Sequence, residues 1–248
     1  MPEYFGEKEE LNRLKEEVYN ANMKLKEYNL VILTWGNVSG ISQNREYIVI
    51  KPSGVDYDKL KPEDMVAVNM RGEVIDGDFK PSSDTPTHLE LYKAYKEIGG
   101  VCHTHSLYAT SYAQSYYGRP LEAVGTTHAD YFDGAIPVTR PMKKDEIALD
   151  YEKNTGLVIV ETLQKIKKSP TQMPAVFVKS HGPFTFGKDC GEAVEHSLIL
   201  ENITHLSFNS KIFSTVENFG YTMPKELLRK HFDRKHGKNA YYGQDKNK

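Results

Sequence analysis

Residues 84–106 read DTPTHLELYKAYKEIGGVCHTHS, and the two halves of this stretch decide the class of fold. The first half is a helix. Asp84 or Thr85 can cap it, Pro86 suits its first turn, and Leu91, Ala94, Tyr95 and Ile98 share one apolar face. Gly99-Gly100 is read as its stop and residues 101–105 as a short strand, with another helix over 107–115. A helix feeding a strand and then a helix calls for a sheet with helices packed on it.

Working outward, Leu11, Leu14, Val18, Ala21 and Leu25 recur at spacings of three and four, which predicts an amphipathic helix over 7–28. Residues 30–40 (LVILTWGNVSG) are β-rich, then polar and glycine-bearing, and 47–50 and 65–70 read as further strands. Strand-like pieces follow at 121–125 and 136–139, a helix at 145–164 and a strand at 175–180. A long helix over 189–210 turns Val194, Leu198, Ile203 and Leu206 inward, and a tail helix runs from 223 to about 235. There is no repeat, low-complexity tract or linker, and no strict βαβ rhythm. The reading is one α+β or α/β/α domain.

Composition excludes several classes of protein. With 248 residues and 39% hydrophobic side chains the chain can bury an ordinary core, so disorder and fibrous repeats are out. Thirty-two basic against 34 acidic residues, a net charge of −2, speak against bulk nucleic-acid binding. No apolar run approaches the ~20 residues that span a bilayer, so no membrane partner is expected. Residues 1–10 lack an apolar leader, and Cys102 and Cys190 make no disulfide framework, so a cytoplasmic location is expected. The tail over 225–248 holds eight basic and three acidic residues, which more often marks a solvated face than a phosphate trap.

The sharpest chemical signal is Cys102-His103-Thr104-His105-Ser106. Side chains two apart on a strand share a side, so both imidazoles can converge on one ion. Alone, an H-x-H pair is weak evidence. His181, just past the strand over 175–180 and before Gly182-Pro183, is a second candidate, and Asp84 a third, although an N-cap suffices to explain it. The metal reading gains credit from agreement: three histidines and a carboxylate, all at element ends. Gly36-Asn37-Val38-Ser39, Lys51-Pro52-Ser53-Gly54 and Pro81-Ser82-Ser83-Asp84 offer hydroxyls, amides and free backbone N–H groups suited to an anion. No P-loop or dinucleotide fingerprint occurs, and no H-E-x-x-H.

These blocks, together with Lys51-Pro52-Ser53-Gly54-Val55-Asp56-Tyr57, Ser82-Ser83-Asp84-Thr85-Pro86-Thr87-His88, Gly125-Thr126-Thr127-His128-Ala129-Asp130-Tyr131-Phe132, Ser180-His181-Gly182-Pro183-Phe184 and the end Asn239-Ala240-Tyr241-Tyr242-Gly243-Gln244, resemble the L-ribulose-5-phosphate 4-epimerases. Those enzymes form a branch of the class II aldolase/epimerase/adducin-head superfamily. The resemblance runs from about residue 11 to 244. It implies a single α/β domain with a central, mostly antiparallel sheet flanked by helices. It implies a C4 homotetramer with sites between subunits, which the tail from about 223 to 248 completes. Matched position by position, it makes His103, His105 and His181 ligands of Zn²⁺ (with Mn²⁺ or Co²⁺ as alternatives), with Asp84 alongside. It places the substrate phosphate on Asn37, Ser53, Gly54, Ser82 and Ser83, with Gly36 and Lys51 nearby. It casts Asp130 and Tyr242 as an acid/base pair reaching over from an adjacent subunit, with His231 close by.

The implied reaction opens and re-forms the C3–C4 bond of a ketopentose phosphate through an enediolate and glycolaldehyde phosphate. It interconverts L-ribulose 5-phosphate and D-xylulose 5-phosphate in pentose breakdown of the L-arabinose or L-ascorbate type. Rival readings are a sugar-1-phosphate aldolase on the same scaffold, in which a glutamate stands where this chain has Asp84, and an adducin-like interaction module, which lacks the metal-site histidines. Two departures are a loop at 115–119 that runs about two residues longer and the extension over 245–248. Of the nine histidines, only His196 and His205 keep an ordinary structural reading.

Overall fold

Leu14, Val18, Ala21 and Leu25 occupy one stripe of α1 (Pro2–Glu27), and all four are buried, as their spacing predicts. They cover one face of a seven-stranded sheet. The computed structural model describes residues 2–115, 118–213, 222–238 and 240, and the side chains from residue 8 onward within these ranges. The expectations placed on Tyr242, on the rest of the 241–248 tail and on Tyr116-Tyr117 lie outside them.

The strands are β1 (Asn37–Ile41), β2 (Tyr47–Ile50), β3 (Val66–Asn69), β4 (Val74–Asp76), β5 (Gly100–His103), β6 (Ala175–Phe177) and β7 (Pro183–Gly187). Their order is β4-β3-β2-β1-β5-β7-β6, and every neighbouring pair is antiparallel. Alternation along the strands feeds two cores. Ile48, Ile50, Val66, Val68 and Val101 point into one, and Val49, Ala67 and Cys102 into the other. That is why these antiparallel strands read as continuous apolar runs: both faces are covered. The helices are α2 (Thr85–Ala94), α3 (Leu107–Gln114), α4 (Thr126–Ala129), α5 (Lys144–Ala148), α6 (Tyr151–Ile166), α7 (Cys190–Phe213) and α8 (Lys225–His236). The chain is thus a single α/β domain built on an antiparallel sheet between helical layers. No helix among the described residues is long and apolar enough to cross a membrane.

Several expectations are corrected. Over 30–36 the chain is a loop, not a strand, with Leu33 at φ 56°, and pairing begins only at Asn37. Gly99-Gly100 does not stop α2, which ends when Tyr95 becomes extended. Gly100 belongs to β5, where a Cβ would lie 2.2 Å from the Asp189 carbonyl oxygen, so close packing against the turn before α7 requires it. The helix expected over 145–164 is two, parted by Asp150 at φ 54°. The pieces at 121–125 and 136–139 make only isolated bridges. Leu206 faces solvent, because the buried stripe of α7 follows Leu200, Ile203, Thr204 and Ser207. β4, β7 and α4 were not anticipated.

Candidate metal centre and anion cleft

Strand pairing assembles the site. Asn37 is the register partner of His103 across β1 and β5, and Phe184 is its partner across β5 and β7. The His103 ring stacks on Phe184 at 4.2 Å and 13°. It is almost wholly buried, with Nδ1–H donating to the Pro183 carbonyl at 2.9 Å. That bond assigns the tautomer and leaves Nε2 as a bare lone pair. His105 lies two residues on, its Nε2 3.1 Å from that of His103. His181 sits in the turn joining β6 and β7, where Ser180 adopts φ 63° and the His181 N–H donates to Val178 O at 3.0 Å. One ring nitrogen from each of the three lies within 4.8 Å of the others.

The imidazoles are held neutral, as a metal ligand must be. Burial pushes His103 down to about 3. Burial also lowers His105 and His181. For Asp84 burial acts upward, while the Asn37 amide that donates to it acts the other way, and the carboxyl lies below its usual range. The donor set fits a divalent cation. Two nitrogens on one tetrahedral ion at about 2.0–2.1 Å stand roughly 3.3 Å apart, close to the 3.1 Å between the Nε2 atoms of His103 and His105.

Beside the histidines two loops lie back to back. Ser53 N–H donates to Lys80 O and Ser82 N–H to Lys51 O, so residues 51–54 and 81–84 form one wall. Ser82 and Ser83 precede the N-terminus of α2, where backbone N–H groups and the helix dipole favour an anion. Gly36, at φ 75°, closes the wall toward the histidines. A Cβ there would stand 2.8 Å from Val31 Cγ1 and 2.9 Å from His103 O. The Lys51 ammonium is buried, lies over the Tyr57 ring and donates to Val55 O at 2.9 Å and Thr34 O at 3.3 Å. Burial lowers its pKa to about 8, with Asp56 opposing.

Gly36, Asn37, Lys51, Ser53, Gly54, Ser82, Ser83, Asp84, His103, His105 and His181 all line one cleft of about 520 Å³. Thr34, Trp35, Tyr151 and Glu152 line it too and carried no assignment in the sequence. The Tyr151 hydroxyl lies 3.3 Å from His181 Nδ1. Nothing local marked Tyr151, which the pattern placed inside a longer helix and the left-handed Asp150 puts at the start of α6.

Asp130 is not among the residues lining that cleft. It ends α4 and is gripped by α8: Arg234 donates to its carboxylate at 2.7 and 3.1 Å, His231 Nδ1 lies 3.0 Å away, and His236 Nε2–H donates to its carbonyl. Burial alone would raise the Asp130 carboxyl, but Arg234 and His231 bring it below the ordinary value. Arg229 reaches Asp133, and the Lys235 ammonium sits 3.8 Å above the Tyr131 ring. Much of the basic character of the tail helix is therefore spent on docking it. His196 donates through Nδ1–H to Phe186 O, and His205 stacks on Tyr108 at 3.7 Å, so both serve packing.

A family model described as "Class II Aldolase and Adducin N-terminal domain" matches residues 16–208. Among solved structures, an L-fuculose 1-phosphate aldolase is 23% identical, with a TM-score of 0.73 over 90% of this chain and 95% of that one. An aldolase II superfamily protein from Pseudomonas syringae is 16% identical (TM-score 0.72, covering 91% and 84%). The L-fuculose-1-phosphate aldolase from Thermus thermophilus is 20% identical (TM-score 0.65, covering 83% and 98%).

Proposed function

This chain belongs to the class II aldolase and adducin N-terminal domain family, and from that premise we propose that it is a metal-dependent epimerase interconverting L-ribulose 5-phosphate and D-xylulose 5-phosphate. The observation that carries the reading is the meeting, in one cleft, of three neutral imidazoles and two hydroxyl-bearing anion loops, with Asp84 between them. In this reading Ser53, Ser82 and Ser83 hydroxyls and the Gly54 N–H hold the phosphate. Gly36 shapes the wall, and Lys51 adds positive charge from behind it. His103, His105 and His181 would hold Zn²⁺, or else Mn²⁺ or Co²⁺, with Asp84 alongside. Such an ion, when bound, supplies Lewis-acid polarisation of the ketose carbonyl and hydroxyl oxygens.

Asp130 and Tyr242, brought over by an adjacent copy in a four-fold ring, would move the C4 hydroxyl proton. Exposed Ile32, Leu33 and Trp35 near the cleft favour such an assembly. Arg234 and His231 hold Asp130 ionised, which is the form that accepts a proton. Loss of that proton breaks C3–C4 in a retro-aldol step. The anion loops retain the glycolaldehyde phosphate while its carbonyl turns, and re-addition inverts C4. Asp130→Asn should cut turnover about 10²–10⁴-fold while metal content stays at the parental level. An unchanged rate would remove Asp130 from the mechanism.

Asp84 favours epimerisation over release of the aldehyde. Its side chain is one methylene shorter than glutamate and sits farther from the enediolate carbon, so it protonates that carbon less readily and the fragments survive to recombine. Asp84→Glu reaches farther and should raise the ratio of free glycolaldehyde phosphate to epimer. Product analysis with an unchanged ratio would refute this. The whole reading is tested by a coupled assay of L-ribulose 5-phosphate, with and without chelator, beside L-fuculose 1-phosphate. Chelator-sensitive conversion of the first is expected. Preference for the second would make the chain an aldolase, and purified protein without a divalent ion near one per chain would point to a binding module.

A further inference from the structure

Tyr151 is the first residue of α6, where the chain turns out of α5 through Asp150 at φ 54°. Left-handed backbone is unfavourable for a residue with a Cβ and persists only where its surroundings hold it. Here they do. Asn154 Nδ2 donates across the end of α5 to Leu149 O at 2.6 Å and Glu146 O at 3.0 Å, and its N–H donates to Asp150 O at 2.9 Å. One residue past Tyr151, Thr87 Oγ1 of α2 donates to Glu152 O at 2.5 Å. The start of α6 is thus pinned to the helix that begins beside Asp84, and Tyr151 is turned into the cleft.

There its hydroxyl lies 3.3 Å from His181 Nδ1. A neutral imidazole carries one N–H, so Nε2 is a bare lone pair only when the hydrogen sits on Nδ1, where it needs an acceptor. For His103 that acceptor is Pro183 O. For His181 the Tyr151 oxygen stands in the same place. Burial pushes the Tyr151 phenol up, so it keeps its own hydrogen and accepts as a neutral group. We infer that Tyr151 is a positioning residue of the metal centre: its hydroxyl oxygen accepts from His181 Nδ1–H, orients the ring and leaves Nε2 to face His103 and His105. A cation on Nε2 makes Nδ1–H a stronger donor, so the contact matters most in the loaded site. This deepens the metal reading of the cleft and rests on it.

Co²⁺ alone, with no sugar present, tests it on the full chain. Its visible absorption gives the affinity, and proton NMR resolves the exchangeable N–H hydrogens of the histidines that bind it. Tyr151→Phe keeps the ring and removes the acceptor. Co²⁺ affinity should fall about tenfold, the low end of the range for a contact that orients a ligand. One histidine N–H signal should vanish through exchange with water, while that of His103, held by Pro183 O, stays. Asp150→Val puts a β-branched residue on left-handed backbone, displaces the hydroxyl without deleting it and should reproduce both changes. Asp150→Gly, to which that backbone comes freely, should reproduce neither. The inference is overturned if Tyr151→Phe keeps the parental affinity and every N–H signal, or if all the signals are lost together, the mark of a general loosening. Should Tyr151→Phe not fold, the two Asp150 variants make the same comparison. A parent chain that takes up no Co²⁺ overturns the metal reading and this inference together, whereas an unchanged Tyr151→Phe overturns the inference alone. A wrong sugar assignment touches neither result.

Discussion

His103→Asn is expected to leave the protein folded but unable to retain a divalent metal, with catalysis lost to the level of the metal-free chain. Three features combine at this one ring. It is the member of the cluster buried most completely, and its neighbours in the sheet, Asn37 and Phe184, fix it from both sides. Its tautomer is set by the bond to Pro183 O, so Nε2 alone is left to bind an ion. Asparagine can keep a hydrogen bond to that carbonyl but brings no nitrogen lone pair to the other His side chains. With two imidazoles left, affinity should fall at least about 100-fold, more than the 10–100-fold that loss of a mere supporting contact causes. Metal content after dialysis against a weak chelator measures this directly. Stoichiometric metal in the variant would show that His103 is not a ligand.

The second large effect is acid lability of the metal-free protein. His88 and His128 are buried with pKa values lowered to about 4, and His103 to about 3, in each case chiefly by burial. Neither ring of the first two is charged in the fold. His88 Nδ1 pairs with Ser39 Oγ while its Nε2 has no partner among the described residues, and His128 Nε2–H donates to Gly134 O. In the unfolded chain each takes up a proton as pH falls below about 6.5, whereas the fold refuses it. Stability is therefore unaffected by these groups above about pH 6.5 and drains away as pH falls from there toward 4. The slope is about 1.4 kcal/mol per pH unit for each histidine kept neutral. Three of them over two units cost several kcal/mol, a large part of a typical stability of about 5–15 kcal/mol. A thermal midpoint that falls steeply between pH 6.5 and 4.5 is expected, with a shallower fall in His128→Gln, which leaves the metal cluster untouched. A flat profile across that window would contradict the burial argument.

How legible the molecule was depended on the range over which each feature is encoded. α1, α3 and α7 were readable because a helix carries its own period, and Leu14, Val18, Ala21 and Leu25 state it within a few turns. β7 was not readable. Pro183 begins it, and five residues show no pattern until β5 and β6 are set on either side. The loop over 30–36 misled for the opposite reason: Leu30, Val31 and Ile32 have strand propensity, but Leu33 and Gly36 take left-handed backbone and no strand pairs with them. Propensity yields to pairing in a sheet, since the hydrogen bonds are made elsewhere in the chain.

The sequence by itself determined the chemistry on offer: three histidines at element ends, a carboxylate, serine and glycine loops, and a net charge that pointed away from nucleic acid. Those are properties of residue type and short spacing, and no folding is needed to read them. Only the tertiary structure decided what each group is free to do. It set His103 against Asn37 and Phe184, and buried the Lys51 ammonium among carbonyls. It enclosed Asp130 in an α8 ion cluster, and brought the Asn37 amide to Ser82 and Asp84. The physical reason is that a donor, an acceptor or a charge has a function only after its partners are counted, and here those partners lie mostly 45 to 104 residues away in the chain.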